Sequence, residues 1–282
     1  QFIEKLRAET EDGTYPASVL SRKELEGMLP KVPFGPEVSG GIWSDMDGYV
    51  DPLHLMFAFR KSFVRLGGTL FAGERVSEVK PSGKGYTVVC GGRTLECGKA
   101  VLAAGLGVRK LAAQLGTDIP VFPNKSQVML LERIPADVLP IPLLGIARTF
   151  GGTVMIGAAH ENMGMDRRLT PEVLAANAQW AVRVWPELER KRILRFWTGL
   201  RVWPKDAYPI YDRIPGHENA FVFAMHSAVS LAAILEQALP DYVMGKPLPP
   251  DGAIFGLSRF AGGGSGFQGS AASSPHAEAP NK

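Results

Sequence analysis

The stretch that decides the fold is KAVLAAGLGVRKLAAQLG, residues 99–116. It predicts a buried strand over residues 100–103, then a turn that contains Gly105 and Gly107, and then an amphipathic helix. Such a turn places backbone N–H groups where they can meet a phosphate group. The stretch lacks, however, the GxGxxG spacing with which a dinucleotide-binding domain begins. We therefore interpret it as a later segment of a phosphate-binding α/β domain.

Upstream of this stretch, the sequence predicts two helices and a meander of strands. Ser21 and Glu24 have the spacing of a capping box at the start of a short helix. Asp51 and Pro52 are a cap and a first-turn proline for a longer helix, which a glycine pair at residues 67–68 ends. Three strand-like runs, divided by Gly and Pro, follow. This order is typical of the second half of a nucleotide-binding α/β domain, without its first βαβ unit.

Downstream of Pro120 the pattern changes to antiparallel strands, in the runs VFPNKSQVMLLERI, LGIARTF and GTVMIGAA. Thr170 and Pro171 then start a long amphipathic helix. We interpret this part as a separate substrate-facing layer, so that the fold combines α/β and α+β architecture. The predicted division is a partial cofactor-binding domain with a helical insert at 1–119, a substrate-binding sheet and helix at 120–196, a return to the first domain at 197–261, and a disordered tail at 262–282.

Composition excludes several functional classes. The 282 residues are 45% hydrophobic and 21% charged, with a formal net charge of +3, which is ordinary for a globular protein. The sequence contains no basic cluster interleaved with aromatic residues, so we do not expect nucleic-acid binding. The longest apolar run is shorter than the roughly 20 residues that a membrane span requires. The sequence has no CxxC motif and no His/Cys cluster, so we expect no metal site.

The cysteines and the chain start bear on the cellular setting. Cys90 and Cys97 flank a hairpin segment, where they form either a disulfide or, as we favour, two thiols in a reducing cytoplasm. The chain begins at Gln1, without Met or a targeting segment. We expect it to be the later part of a longer protein.

Five segments carry a family resemblance. Their order is GGIWSDMDGYVDP, GERVSEVK, KAVLAAGLGVRKLA, GLRVWPKDAYPIYDRIPG and HSAVSLA, and it resembles that of the D-amino-acid-oxidase-like flavoproteins. This family includes glycine oxidase, sarcosine oxidase β subunits and D-amino-acid dehydrogenases. Within it, GTVMIGAAHENMGMD and HSAVSLAAI are most similar to the β subunits of opine- and D-hydroxyproline-oxidising complexes.

The resemblance implies an FAD-dependent oxidoreductase that oxidises the C–N bond of an amino acid, an opine or a related secondary amine by hydride transfer to flavin N5. The FAD is expected to be non-covalent, because both cysteines lie far from the matching segments. A partner subunit of a heteromeric oxidase is also implied. The expected location is cytoplasmic, or peripheral to the inner membrane if the electron acceptor is a quinone.

Two other functions stay open at this point. The family's first GxGxxG turn and its ribose-binding acidic residue are missing, and a non-catalytic or assembly subunit would keep the fold without a complete flavin site. Ala228, where the family usually has glycine, favours this alternative, whereas Arg201 and the VLAAG segment disfavour it. A nicotinamide-dependent dehydrogenase is the weaker alternative, because its phosphate-binding turn would also have to lie upstream.

Three residues are candidates for substrate binding. Arg201 in TGLRVWP occupies the position of the family's substrate-binding arginine, and a guanidinium matches a carboxylate with two parallel donors. The alternative is a surface arginine paired with a nearby Asp. His160 and Tyr49 are the other two candidates, and Arg148 and His160 are the next choices for the carboxylate anchor.

The remaining candidates concern the flavin. His226 matches a histidine near the flavin in the family, as either a catalytic or a structural residue, and Ser227 or Ser230 is expected to cap the helix that follows. Trp43 and Asp47 either line the flavin side or pack beside a turn. The predicted FAD-contacting residues are Val76, Ala103, Ala104, Gly105, Leu106, Gly199, Ser227, Ala228, Val229, Ser230 and Leu231.

Overall fold

The computed structural model describes residues 17–157 and 159–261. Within these ranges the strands are β1 (Ser18–Ser21), β2 (Gly40–Trp43), β3 (Val76–Ser82), β4 (Gly85–Cys90), β5 (Arg93–Cys97), β6 (Ala100–Leu102), β7 (Val121–Arg133), β8 (Ile146–Arg148), β9 (Thr153–Gly157), β10 (Ile193–Pro204), β11 (Ile210–Arg213) and β12 (Ala220–Ala224). The α-helices are α1 (Arg22–Met28), α2 (Pro52–Arg65), α3 (Val108–Ala113), α4 (Pro171–Val184) and α5 (Ala232–Val243). Short 3-10 helices lie at Gly105–Gly107, Pro186–Arg190, Pro250–Phe255 and Leu257–Phe260.

The predicted helix starts are confirmed where local chemistry decides them. Glu24 N donates to Ser21 Oγ at 3.3 Å and Ser21 N donates to Glu24 Oε2 at 2.7 Å, which is the reciprocal capping box. Asp51 caps α2 with its side chain, and Pro52 occupies the first turn. Thr170 is the N-cap residue of α4, but its side chain makes no capping bond because its hydroxyl donates to another residue, Glu161.

The stretch 99–116 forms the expected strand, glycine turn and helix. Strand β6 pairs in parallel with β12, and β12 pairs antiparallel with β11, so the three strands form one sheet. Gly105 has a φ of +57°, a left-handed conformation that glycine adopts without strain, and this turns the chain from the strand into the helix. Val108 and Ala112 of the helix are fully buried against this sheet.

The three strand-like runs upstream form the meander β3–β4–β5, also as expected. Val79 and Tyr86 from this meander are buried in the same core as β6 and α3. Both cysteines are free thiols: in the β4–β5 pairing, Cys90 lies opposite Arg93 and Cys97 lies opposite Tyr86. The structure therefore supports the thiol interpretation over the disulfide.

The second layer is a four-stranded antiparallel sheet in the order β10–β7–β9–β8, packed against α4. Its core differs from the first and includes Ile156 and Trp185. Two features differ from the predicted division. The predicted division places residues 18–43 in the cofactor-binding domain, whereas Leu25 and Leu29 are buried in the core of the second layer. Strand β10 crosses the predicted boundary at 196/197, because its pairing with β7 continues to Pro204.

Other expectations concern membranes, metals and the tail. Within the described ranges, no helix has the length and apolar character needed to cross a bilayer. The described part of the chain also contains no group of three His, Cys, Asp or Glu side chains placed to hold a metal ion. The predicted disordered tail, 262–282, lies outside the described residues.

Candidate active site

Arg201 lies on β10 and is half-buried. Its Nη2 donates to Ser126 Oγ at 3.0 Å, and its Nη1 lies 3.1 Å from His160 Nε2. Pairing of β10 with β7 explains this contact, because Arg201 and Gly199 lie opposite Asn124 and Ser126 on one face of the sheet. No carboxylate of the described residues forms an ion pair with Arg201. Its positive charge is therefore uncompensated, unlike that of a surface arginine paired with Asp.

His160 sits between Arg201 and β7. Its Nδ1 lies 3.0 Å from Asn124 Oδ1, and because an amide oxygen only accepts, this contact is a hydrogen bond in the tautomer that carries the proton on Nδ1. Nε2 is then free to accept from the Arg201 guanidinium, which only donates. Burial, followed by the charges of Arg201 and His226, lowers the pKa of His160, and this favours the neutral ring that the hydrogen bonds require.

A buried polar cluster holds the segment that carries His160. Lys125, 1% exposed, places its Nζ 3.2 Å from Glu161 Oε2 and donates to Thr170 Oγ1 at 2.8 Å. Gln127, 0% exposed, donates to Glu161 Oε1 at 2.7 Å. Lys125 and Glu161 also exchange two backbone hydrogen bonds. This cluster commits Glu161 to the interior, so it does not meet a substrate, and it presents the neighbouring His160 on the opposite side.

His226 contacts two residues whose backbone is in the left-handed region. Its Nε2 lies 2.6 Å from the carbonyl oxygen of Ala207, and its Nδ1 lies 2.7 Å from Ser227 Oγ. Ala207 and Ser227 are the described non-glycine residues with left-handed φ, at 65° and 56°. The ring also stacks on Trp203 at 4.5 Å, and Trp203 contacts His160 edge-on at 5.3 Å. His226 thus links the segment after β12 to the residues around Arg201.

The predicted cofactor turn borders an apolar cavity of about 590 Å³. Three of the predicted FAD-contacting residues, Ala103, Gly105 and Ala228, line it together. Val202 lines it as well, and a Cβ placed on Gly105 would lie 3.5 Å from Val202 Cγ2. Val202 follows Arg201 directly on β10, so its side chain projects to the opposite face of the strand, and Arg201 does not itself line this cavity.

The start of α5 differs from the prediction. The helix begins at Ala232 with Leu231 as its N-cap residue and no side-chain capping bond, so neither Ser227 nor Ser230 caps it. The Ser227 hydroxyl instead contacts His226. The backbone conformation at position 228 does not require glycine, because the left-handed φ falls on Ser227 and not on Ala228. No hydrogen bond to the described chain uses the N–H groups of residues 228–230, which are solvent-exposed.

Several predicted residues lie elsewhere or add nothing to the cavity. Leu106 lies in the 3-10 turn, and Ala104 is the N-cap residue of that turn. Gly199 is exposed on β10, and Val229 and Ser230 are also exposed. Leu231 packs against a small separate core. Val76 is partly buried at the start of β3 and packs on the first core.

The other two substrate-binding candidates, Tyr49 and Arg148, lie away from the contacts of Arg201. Tyr49, with Trp43 and Asp47, lines a second cavity and contacts none of the Arg201 partners described above. Arg148 Nε donates to the Ile134 carbonyl. Because Ala147 lines the second cavity on the Arg201 face and side chains alternate along β8, Arg148 lies on the other face.

Sequence reasoning missed Ser126, Asn124 and Trp203. Strand alternation puts every second residue of β7 on the face of Arg201 once the register is known, and it puts Trp203, two residues after Arg201 on β10, on the same face. The register itself depends on long-range pairing between β7 and β10. The residues were therefore visible in the sequence but could not be assigned to the site.

The family model described as DAO, FAD dependent oxidoreductase, matches residues 1–235. The chain belongs to this family. It is 30% identical to an opine oxidase subunit of Rhizobium meliloti over 259 residues, which is 92% of the chain and 69% of that protein. It is 24% identical to glycine oxidase of Geobacillus kaustophilus over 254 residues, covering 88% of the chain and 67% of that protein.

The fold agrees with the same family. The crystal structure of L-proline dehydrogenase from P. horikoshii matches with a TM-score of 0.81 at 21% identity, over 93% of this chain and 73% of that one. The protein is thus an FAD-dependent oxidoreductase of the DAO family, and the fold and cofactor implied by the resemblance are confirmed.

The described residues suit one part of an FAD-binding site. An apolar cavity suits the rings of a flavin, and exposed N–H groups before a helix suit an anionic edge. Ala103, Gly105 and Ala228 therefore remain the predicted contact residues that line this cavity. Cys90 and Cys97 lie in the meander and not at this cavity, which supports non-covalent binding.

We expect the lowered pKa of His160 to affect how the free energy of unfolding depends on pH. Below about pH 6.5 the unfolded chain protonates its histidines, whereas native His160 resists protonation. The unfolded state then binds more protons, so this residue's contribution to the free energy of unfolding is full above that pH and decreases as pH falls. Urea unfolding of the parent and of His160→Gln between pH 5 and 8 should show a smaller acid loss in the variant. Parallel curves would contradict the expected shift.

We expect His226 to position the flavin-binding segment. His226→Ala removes two hydrogen bonds that support left-handed residues, and these are worth roughly 0.5–1.5 kcal/mol each, so FAD affinity should fall about fivefold to hundredfold. Adding Ser227→Gly should recover part of the affinity, because glycine adopts this φ without the side-chain penalty. Fluorescence titration of FAD measures both. Unchanged FAD affinity with lost turnover would instead identify His226 as catalytic.

Proposed function

We propose that the protein oxidises the C–N bond of an amine that carries a carboxylate, namely an amino acid or an opine. One observation carries this proposal: the half-buried Arg201 guanidinium has no carboxylate partner in the described chain and is held in place by Ser126 and His160. A charge left without a partner at a partly buried site favours an anionic ligand. The names of the related opine oxidase subunit and glycine oxidase support the same substrate class.

The chain's own residues bind and orient the substrate in this proposal. Arg201 presents two donors to the carboxylate, and Ser126 and His160 fix the plane of the guanidinium through its two terminal nitrogens. Trp203 packs between the rings of His160 and His226 and so connects the two histidines. FAD, when bound, supplies the two-electron acceptor for oxidation of the C–N bond.

A matched substrate pair tests this function. N-Methylalanine and N-methylpropan-2-amine differ in that a carboxylate of the first is a methyl group in the second. With the FAD-loaded protein under anaerobic conditions, we expect loss of the oxidised-flavin absorbance with the amino acid and at least about hundredfold less efficient reduction with the amine, as two charge-assisted hydrogen bonds are lost. Equal efficiency for the pair would reject a carboxylate-anchored substrate.

We also propose that the protein works as one subunit of a heteromeric oxidase. The similarity to a protein that is named as a subunit of opine oxidase supports this arrangement. Native mass spectrometry of the protein purified from its own cells should show a second polypeptide in a fixed ratio. A single polypeptide with full amine-oxidising activity would argue against it.

A further inference from the structure

The second cavity, of about 750 Å³, lies on the sheet face that carries Arg201. Its floor includes Val128 of β7 and Met155 of β9, and its walls are the segments 42–49 and 140–146. Side chains alternate along a strand, so Val128 projects to the same side as Ser126, which holds Arg201. The cavity and the arginine therefore share one surface.

The separation between cavity and arginine is short. Ser126 and Val128 are two residues apart on a strand, which corresponds to about 7 Å. A ligand whose carboxylate lies on Arg201 thus reaches the cavity with a chain of roughly five or six bonds along the sheet. A glycine-sized molecule anchored at the same place does not reach it.

The lining of this cavity selects for one kind of chemistry. Most of the lining side chains are apolar, and they include Ile42, Val128, Ile141, Leu143 and Met155. Among the described lining residues there is no Lys, Arg or His, and Asp47 is the one with a formal charge. Transfer of apolar surface into such a cavity is favourable. A second carboxylate entering it would lose hydration without meeting a cation among the described lining residues.

We propose that this cavity binds an uncharged, apolar arm of the substrate, so that the substrate is an amino acid with a long apolar side chain or nitrogen substituent. This inference rests on the proposed function, because Arg201 must first hold the carboxylate. The cavity then sets the preference among carboxylate-bearing amines.

Amine-free carboxylates test the cavity without any turnover. Propanoate reaches Arg201 alone, octanoate adds an apolar arm, and suberate is the same length with a second carboxylate at its end. By isothermal titration calorimetry on the FAD-loaded protein, we expect octanoate to bind at least tenfold more tightly than propanoate, because several CH₂ groups become buried. Suberate should bind at least tenfold more weakly than octanoate.

Two variants that fill the cavity connect these affinities to its residues. Val128→Trp, or Leu143→Trp should the first variant not fold, should remove the octanoate advantage and leave propanoate binding within about twofold of the parent. Leu194→Trp is the matched control, since Leu194 is exposed on β10 and does not line the cavity. It should leave all three affinities unchanged.

The outcomes separate the two proposals. Equal binding of octanoate and propanoate, suberate binding as tight as that of octanoate, or an octanoate advantage that survives both cavity variants would overturn the apolar-arm subsite. In those cases, propanoate binding that is lost in Arg201→Ala would leave the proposed function standing. Propanoate binding that Arg201→Ala does not weaken would instead overturn the carboxylate anchor itself.

Discussion

Replacing Arg201 by alanine in the FAD-loaded protein should lower the efficiency of flavin reduction by substrate about hundredfold to ten-thousandfold. The variant loses two charge-assisted hydrogen bonds to the carboxylate, worth roughly 1.5–3 kcal/mol each, and each 1.4 kcal/mol is a factor of ten. The carboxylate would also be desolvated without a partner. Anaerobic stopped-flow reduction gives the apparent rate constant and the substrate dissociation constant separately, and most of the loss should lie in binding.

Arg201→Lys should fall between the parent and Arg201→Ala, about tenfold to hundredfold below the parent. Lysine keeps the positive charge but loses the planar pair of donors, which costs about one hydrogen bond. Arg195→Lys is the control on the same strand, because Arg195 is exposed and contacts none of the site residues described here. The oxidised-flavin spectrum should be unchanged in all three variants. Full efficiency in Arg201→Ala would assign this arginine to structure.

Replacing Lys125 by methionine should lower the free energy of unfolding by about 3–5 kcal/mol. The substitution leaves Glu161 as a buried carboxylate without its cation, and breaking a buried pair from one side costs about this much. Thr170 Oγ1 and the Arg168 carbonyl lose their donor at the same time. Urea unfolding followed by circular dichroism measures the change.

A double-mutant cycle separates the ion pair from general disruption. Lys125→Met combined with Glu161→Gln should be more stable than the sum of the two single losses predicts, because the second substitution removes the unpaired charge. Lys246→Met is the matched control: Lys246 lies 3.1 Å from Asp241, but both side chains are exposed, so the loss should stay below about 1 kcal/mol. Similar losses in the two lysine variants would show that burial adds nothing to the Lys125 pair.

The same cluster should affect substrate binding. Glu161 and His160 are neighbours, and the two backbone hydrogen bonds between Lys125 and Glu161 hold this segment on β7. A loosened segment would let His160 leave Arg201, although neither Lys125 nor Glu161 faces the substrate. Lys125 and Glu161 therefore act here by positioning the segment that carries His160.

Local patterns were sufficient for much of the fold. The capping box at Ser21 and Glu24, the cap and proline at Asp51 and Pro52, and the strand–turn–helix around Gly105 depend on neighbours within a few residues. The antiparallel character of β7 to β9 also follows from short-range alternation and turns. Such features are decided by contacts that the chain makes close to itself.

The predictions that failed depend on distant partners. From the neighbouring residues alone, the hydroxyls of Thr170 and Ser227 could each cap a helix. In the folded chain they contact Glu161 and His226 instead. Strand β10 extends across the predicted boundary at 196/197, because its pairing with β7 continues to Pro204. A competing hydrogen bond or a neighbouring strand is invisible until the segments meet.

The sequence by itself determined the family, the elements around the glycine turn and the identity of Arg201 as a carboxylate-binding candidate, because these rest on residue type and local spacing. Only the tertiary structure decided that Arg201 has His160 and Ser126 as partners, that His226 contacts two left-handed residues and that Arg148 lies on the other sheet face. The physical reason is register: an antiparallel pair puts residues far apart in the chain opposite each other, and a shift of one residue would exchange the two faces of the sheet.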